Sequence, residues 1–150
     1  VLKHLSAVLF IFGQLLSHEV SAESGSLPVI ELSIANHTIS AEVANTLSTR
    51  ATGLMHRTYL PENSGMLFVF PVANIYSMWM QNTHIPLSVA FLDEAGVIIN
   101  IADMVPNTLT SHRSAKAAKY ALEMNAGWFD MRKVKPGDQV IGIGRSDDVQ

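Results

Sequence analysis

The sequence predicts a mainly β fold, a compact β-sandwich or barrel-like domain with one principal α-helix packed against it. Three observations carry that expectation. Apolar residues recur with period two in several short runs, turn-forming residues separate the runs, and a single stretch shows helical periodicity.

The elements follow in order. Val29 to Val43 alternates through Ile30, Leu32 and Ile34, meets Asn36-His37, and resumes with Ile39, Ala41 and Val43, which reads as a β-hairpin. Thr46 stands as the N-cap of a helix over Leu47 to His56, where Leu47, Ala51, Leu54 and Met55 form an apolar stripe directed at the core. Gly53 falls inside that helix, a costly position unless something approaches closely there. Gly65 to Phe70 is apolar on both faces, as a strand covered on both sides must be. Tyr76 to Gln81 alternates as a further strand, broken by Asn82-Thr83 and Pro86. Val89–Leu92 and Val97–Val105 form a second hairpin around Asp93-Glu94-Ala95-Gly96, and Pro106 to Ser114 reads as a polar loop. Lys119–Asn125 is a strand with Tyr120, Leu122 and Met124 inward and Glu123 on the opposite face. Ala126–Arg132 is a short helical turn, and Pro136-Gly137-Asp138 turns into a last strand, Gln139–Ile143.

Organisation and compartment come from the ends and from composition. Residues 1–22 have a short basic start, an apolar run from Leu5 to Leu16 and the small-residue site Val20-Ser21-Ala22, the pattern of a secretory signal peptide. That run is shorter than the ~20 residues needed to span a bilayer. Residues 23–28 follow as a linker, 29–145 as a single domain and 146–150 as a tail. The expected location is periplasmic or secreted, after cleavage near Ala22, with no stable membrane span left. The formal net charge is −3 with no basic run, so there is no electrostatic case for nucleic acid. The absence of cysteine excludes disulfides, thiolate metal sites and a thiol nucleophile, and suits an oxidising compartment.

The candidate chemistry gathers between Arg50 and Phe91. Arg50 and Arg57 lie seven apart on one helix edge, able to grip an anionic ligand or to fasten the helix to carbonyls or to a carboxylate such as Glu123, Asp103 or Asp93. Trp79, Asn82 and Thr83 read either as a stacking and hydrogen-bonding patch for a small molecule, glycan or peptide, or as a buried ring beside a turn. Met78, Met80 and His84 have the softness for Cu(I), but Met78 and Met80 share a face with Tyr76 as core residues do; no metal or cofactor is expected. His37, His56, His84 and His112 show no zinc spacing, and no G-x-S-x-G elbow or phosphate loop is present, so no catalytic residue is assigned. Glu123 and His112 are the titratable groups on which a hydrolase reading would rest.

The ordered motifs R-x-x-G-L-M-x-R-x-x-L (Arg50 to Leu60), G-M-L-F-x-F, W-M-x-N-T-x-I-P-L, Y-x-L-E-x-x-A-G (Tyr120 to Gly127) and Gly137-Asp138 resemble the domain of unknown function 192 family over about residues 29–143. The resemblance implies a compact, mainly β domain of sandwich or barrel type, found in bacteria and archaea and often behind a signal peptide. It implies no activity and no catalytic residues. The family usually has Asp after I-P-L, where this chain has Ser88. The reading is therefore an exported, non-catalytic binding or accessory module. Its site lies near the helix edge and the W-M-Q-N-T segment, drawing on Arg50, Arg57, Trp79, Asn82, Thr83 and Glu123, with an unknown small molecule, glycan or protein as partner. A hydrolase using Glu123 or His112 and a purely structural or partner-docking domain are the alternatives.

Overall fold

The structure is a computed structural model describing residues 26–146. The leader assigned to 1–22 lies outside them, as do residues 23–25 of the linker and 147–150 of the tail.

β1 (Val29–Ile34) and β2 (His37–Ala44) pair antiparallel, Leu32 opposite Ile39. The turn is Ala35-Asn36, with φ of 47° and 66°, one residue earlier than the sequence suggests. Two left-handed residues in a two-residue loop match the twist of the flanking strands, and this register keeps the alternating apolar residues of both strands on one face.

α1 (Leu47–Thr52) opens on a reciprocal cap. The Thr46 hydroxyl accepts from the Thr49 amide at 3.1 Å and the Thr49 hydroxyl from the Thr46 amide at 3.0 Å. The helix stops four residues short of His56, and the expected apolar stripe does not form. Leu47 is 81% exposed and no residue of α1 is buried. Gly53 is the cause. It is not inside the helix but ends it, at φ 48°, and a Cβ there would lie 3.1 Å from the Phe68 ring. Only glycine tolerates that turn so close to an aromatic edge. Leu54, the next residue and outside the helix, is buried in the outer core.

β3 (Ser64–Asn74) lies parallel to β2, with the α1 segment as the crossover a parallel pair requires. β4 is only Ser77–Met78, shorter than the strand expected to Gln81. It pairs with β7 (His112–Arg113), inside the stretch read as loop. Asn82, at φ 53°, turns the chain four residues beyond that ladder. β5 (Leu87–Leu92) and β6 (Ile98–Met104) form the second hairpin, where the Asp93 carboxylate accepts from the Ala95 and Val97 amides, both at 2.9 Å. β8 (Ala118–Asn125) runs between β3 and β5, and α2 (Trp128–Met131) follows it. The main sheet has the order β1-β2-β3-β8-β5-β6.

The segment expected as a last strand instead bridges the two edges of that sheet. Val140 donates to Gly96 at 2.9 Å and Ile98 to Asp138 at 2.9 Å beside β6, while Ser33 and Ile141 exchange bonds of 3.0 and 2.8 Å at β1. One short segment serving two edges in succession cannot keep a continuous ladder with either, so it forms isolated bridges. The result closes the sheet into a barrel-like form.

Two cores result. Leu32, Ile39, Val43, Leu67, Leu122 and Met124 fill the interior, capped by Trp128 and Phe129. On the outer face Met66, Phe68, Phe70, Val89, Phe91 and Ala121 are covered by Leu54, Leu60, Met80 and Ile85. Gly65 allows the central strands to close up, because a Cβ there would meet the Glu123 carbonyl oxygen and the Met124 sulfur, each at 2.4 Å.

Candidate functional site

A cleft of about 480 Å³ opens on the outer face, between α1 and the segment from Tyr76 to Thr83. Phe68 and Phe70 of β3 form its base, Leu47 and Ala51 one wall, and Tyr76 and Trp79 the other. The Phe70 and Tyr76 rings stack at 3.7 Å, nearly parallel at 11°. Trp79 is 52% exposed. Its ring is therefore a rim, available for stacking, and not a core residue.

Glu123 reaches the buried end of this cleft because of strand register. On β8 it lies beside Met66 of β3 and Val89 of β5, so alternation puts its carboxyl on the outer face and not in the barrel. It is 4% exposed, and among the described residues no hydrogen bond or ion pair reaches its side chain. Burial alone pushes the carboxyl up to about 8, leaving it protonated at neutral pH. A neutral buried acid facing an apolar cleft is the least ordinary group in the molecule.

The structure brings Arg50, Trp79, Thr83 and Glu123 to the cleft and leaves Arg57 and Asn82 outside its lining. Arg50 fastens α1 to the sheet. Its Nη1 donates to the Asn45 carbonyl at 2.5 Å and to Val69 of β3 at 2.9 Å. Arg57 lies beyond the end of α1, so the two arginines do not stack on one helix edge. It forks Glu42 of β2, Nη1 to Oε1 and Nη2 to Oε2 both at 2.6 Å, and that bond holds its pKa above the ordinary value against the opposing effect of burial. Its partner is thus Glu42 and not Glu123, Asp103 or Asp93. Asn82 acts through its backbone, accepting from the His56 amide at 2.9 Å, and buried Thr83 hydrogen-bonds the Gln81 carbonyl at 3.1 Å.

The bidentate fork carries a prediction. Arg57→Lys and Arg57→Gln are each expected to lower stability by roughly 1 kcal/mol, a value kept small because both side chains are partly exposed. Glu42→Gln should cost a similar amount, and combining it with Arg57→Gln should add little in urea melts. Additive losses would mean the pair does not act as a unit.

Met80 is in the outer core and His84 is exposed, its ring 6.4 Å from His56. Among the described residues no group of three His, Asp or Glu side chains could hold a metal. His112 lies on β7 with Nε2 buried and unpartnered, and it does not line the cleft. Ser88 is buried; its hydroxyl donates to Asp103 at 2.5 Å and accepts from the Gly127 amide at 2.9 Å. A carboxylate could not donate to Asp103, so serine here ties β5 to β6 and to the start of α2.

Sequence reasoning missed Glu42, Trp128 and the Phe70–Tyr76 stack. Glu42 did carry a signal, as the polar member of an alternating strand facing away from Ala41 and Val43.

The family model of DUF192, described as Uncharacterized ACR, matches residues 30–142. A comparison with curated proteins finds no match. Among solved structures, a Sinorhizobium meliloti 1021 protein provisionally described as a transcription regulator is similar at 33% identity and TM-score 0.77, covering 80% of this chain and 98% of that one. A protein of unknown function from Novosphingobium aromaticivorans DSM 12444 is similar at 33% identity and TM-score 0.74, covering 82% of this chain and 89% of that one.

Proposed function

We propose, for a chain that belongs to the DUF192 family, a non-catalytic binding role exercised at the α1 cleft. One observation carries the reading: a cleft of about 480 Å³, largely apolar, with a half-exposed Trp79 at its rim and an unpartnered acid at its buried end. Pockets that take small molecules have this volume and this balance of apolar wall with a few placed polar groups. Hydrolysis finds less support, because neither a histidine nor a second carboxyl lines the cleft beside Glu123. Nor does the description of the Sinorhizobium relative find an electrostatic counterpart here, where the net charge is −3.

The experiment is a fluorescence titration with N-phenyl-1-naphthylamine, a neutral aromatic probe that brightens in apolar surroundings. Saturable binding is expected, and Ala51→Trp, which plugs the wall from an exposed position, should abolish it without lowering the melting temperature. Binding that survives the plug would place the probe elsewhere and remove the reading.

We also propose that the chain is exported and acts in the periplasm or outside the cell, on the strength of the basic start, the apolar run and the small-residue site at 20–22. N-terminal sequencing of the extracytoplasmic fraction should begin at Glu23. An intact chain held in the membrane would count against export.

A further inference from the structure

We propose that the cleft takes a small organic ammonium ion with an apolar body, because the geometry sets a single unpartnered, buried carboxyl, Glu123, among the aromatic rings of Phe68, Phe70, Tyr76 and Trp79. The inference rests on the cleft being a binding site and names the chemistry of its occupant.

Each part of that chemistry has a counterpart in the site. The acid is fixed by a strand paired on both sides, so it offers an acceptor at a defined place without further ordering. Among the described residues its oxygens have no internal donor, and an ammonium group supplies the donors and the charge. Aromatic faces attract cations through their quadrupoles, most strongly where water is excluded. The stacked Phe70–Tyr76 pair and the Trp79 ring supply such faces. The volume and the apolar walls call for a hydrocarbon or aromatic body behind the charge.

An anionic occupant fits less well. Arg50 is the cation of the cleft, its Nη1 is engaged by two backbone carbonyls, and an anionic ligand would find no other positive group among the lining residues. The groups that could compete for Glu123 are few. α1 offers Arg50 and the facing segment Tyr76, and the flanking strands set Met66 and Val89 beside it. Burial displaces the carboxyl to about 8, and among the described residues the ion pairs are Arg57–Glu42 and Arg132–Glu62, neither of which involves it. To pair with an ammonium ion at neutral pH, the carboxyl releases its proton to solvent. With the native pKa near 8, this lowers the affinity only about tenfold at pH ~7.

That proton is the readout. Calorimetric titration of the full chain with 2-phenylethylammonium, in buffers of differing ionisation enthalpy near neutral pH, should show close to one proton released per ligand bound. The affinity should fall about tenfold for each pH unit below about 8. The neutral isostere 2-phenylethanol should bind at least about tenfold more weakly and release no proton, and 3-phenylpropionate should bind more weakly still. Glu123→Gln, which keeps the shape of the protonated side chain, should reduce the amine to the level of the alcohol. Equal or tighter binding of the alcohol or the propionate, or amine binding without proton release, overturns the ammonium assignment and leaves the cleft as a site of other chemistry. If none of the three binds, the ammonium assignment fails; the binding reading fails with it only where N-phenyl-1-naphthylamine does not bind the cleft either.

Discussion

Trp128→Ala is expected to lower the free energy of unfolding by about 3–5 kcal/mol, and Trp79→Ala by less than about 1 kcal/mol. Trp128 is fully buried at the mouth of the barrel interior. Its indole N–H donates to Asn63 at 3.1 Å, the Phe129 ring meets it edge-on at 5.4 Å, and the Arg132 guanidinium lies 4.4 Å over its face. Truncation would open a cavity, leave the Asn63 acceptor without this donor and unseat Arg132, which also reaches Glu62 at 2.8 Å. Trp79, half-exposed, leaves little behind when removed. Urea melts of both variants check the contrast. Comparable losses would mean that the rim ring carries packing its exposure does not reveal.

The second expected result is a loss of stability, traceable to Glu123, as pH rises. The Glu123 carboxyl titrates near 8 in the folded chain against 4.5 for the ordinary side chain. Between those values the unfolded chain gives up its proton and the folded chain keeps it, so the unfolded state is favoured as pH rises. The contribution of Glu123 is therefore fully present below about 4.5 and is lost as pH approaches 8. At about 1.4 kcal/mol per pH unit the whole change is on the order of 5 kcal/mol. Glu123→Gln cannot ionise. Subtracting its stability curve from that of the native chain cancels the other carboxylates, and the difference should fall steadily from about pH 5 to about pH 8, then level. A flat difference would mean that the buried acid acquires a partner in solution.

How much of this was legible in the sequence depended on the range of the causes. The hairpins, the doubly buried strand and the Thr46 cap come from alternation and capping within a few neighbours, and those were readable. Helix length was not, because it is decided by Phe68, fifteen residues from Gly53 and adjacent only after β3 has paired. The arginines divided on the same ground. The heptad spacing of Arg50 and Arg57 places both on one face only if the helix continues, and the glycine stops it. Arg50 does fasten α1 to β3, while the partner of Arg57 lies on a strand that the crossover brings parallel to β3. Which tryptophan was interior could not be read from composition, since both sit among apolar residues. Register around β8 decided that Glu123 shares a cleft with Trp79, and that register is a property of three strands together.

The closure of the sheet by residues 137–141 bears on the order in which the chain can mature. Every strand of the main sheet precedes that segment, so while synthesis is under way the edges at β1 and β6 present unpaired amides and carbonyls. Nothing emerging earlier joins them, and the contacts that do are among the most distant in sequence, Ser33 with Ile141. Such pairings form late, after the entropy of a long loop has been overcome. Until then the edges at β1 and β6 stay open to edge-to-edge association. Both edges are engaged in one step, when residues 137–141 dock.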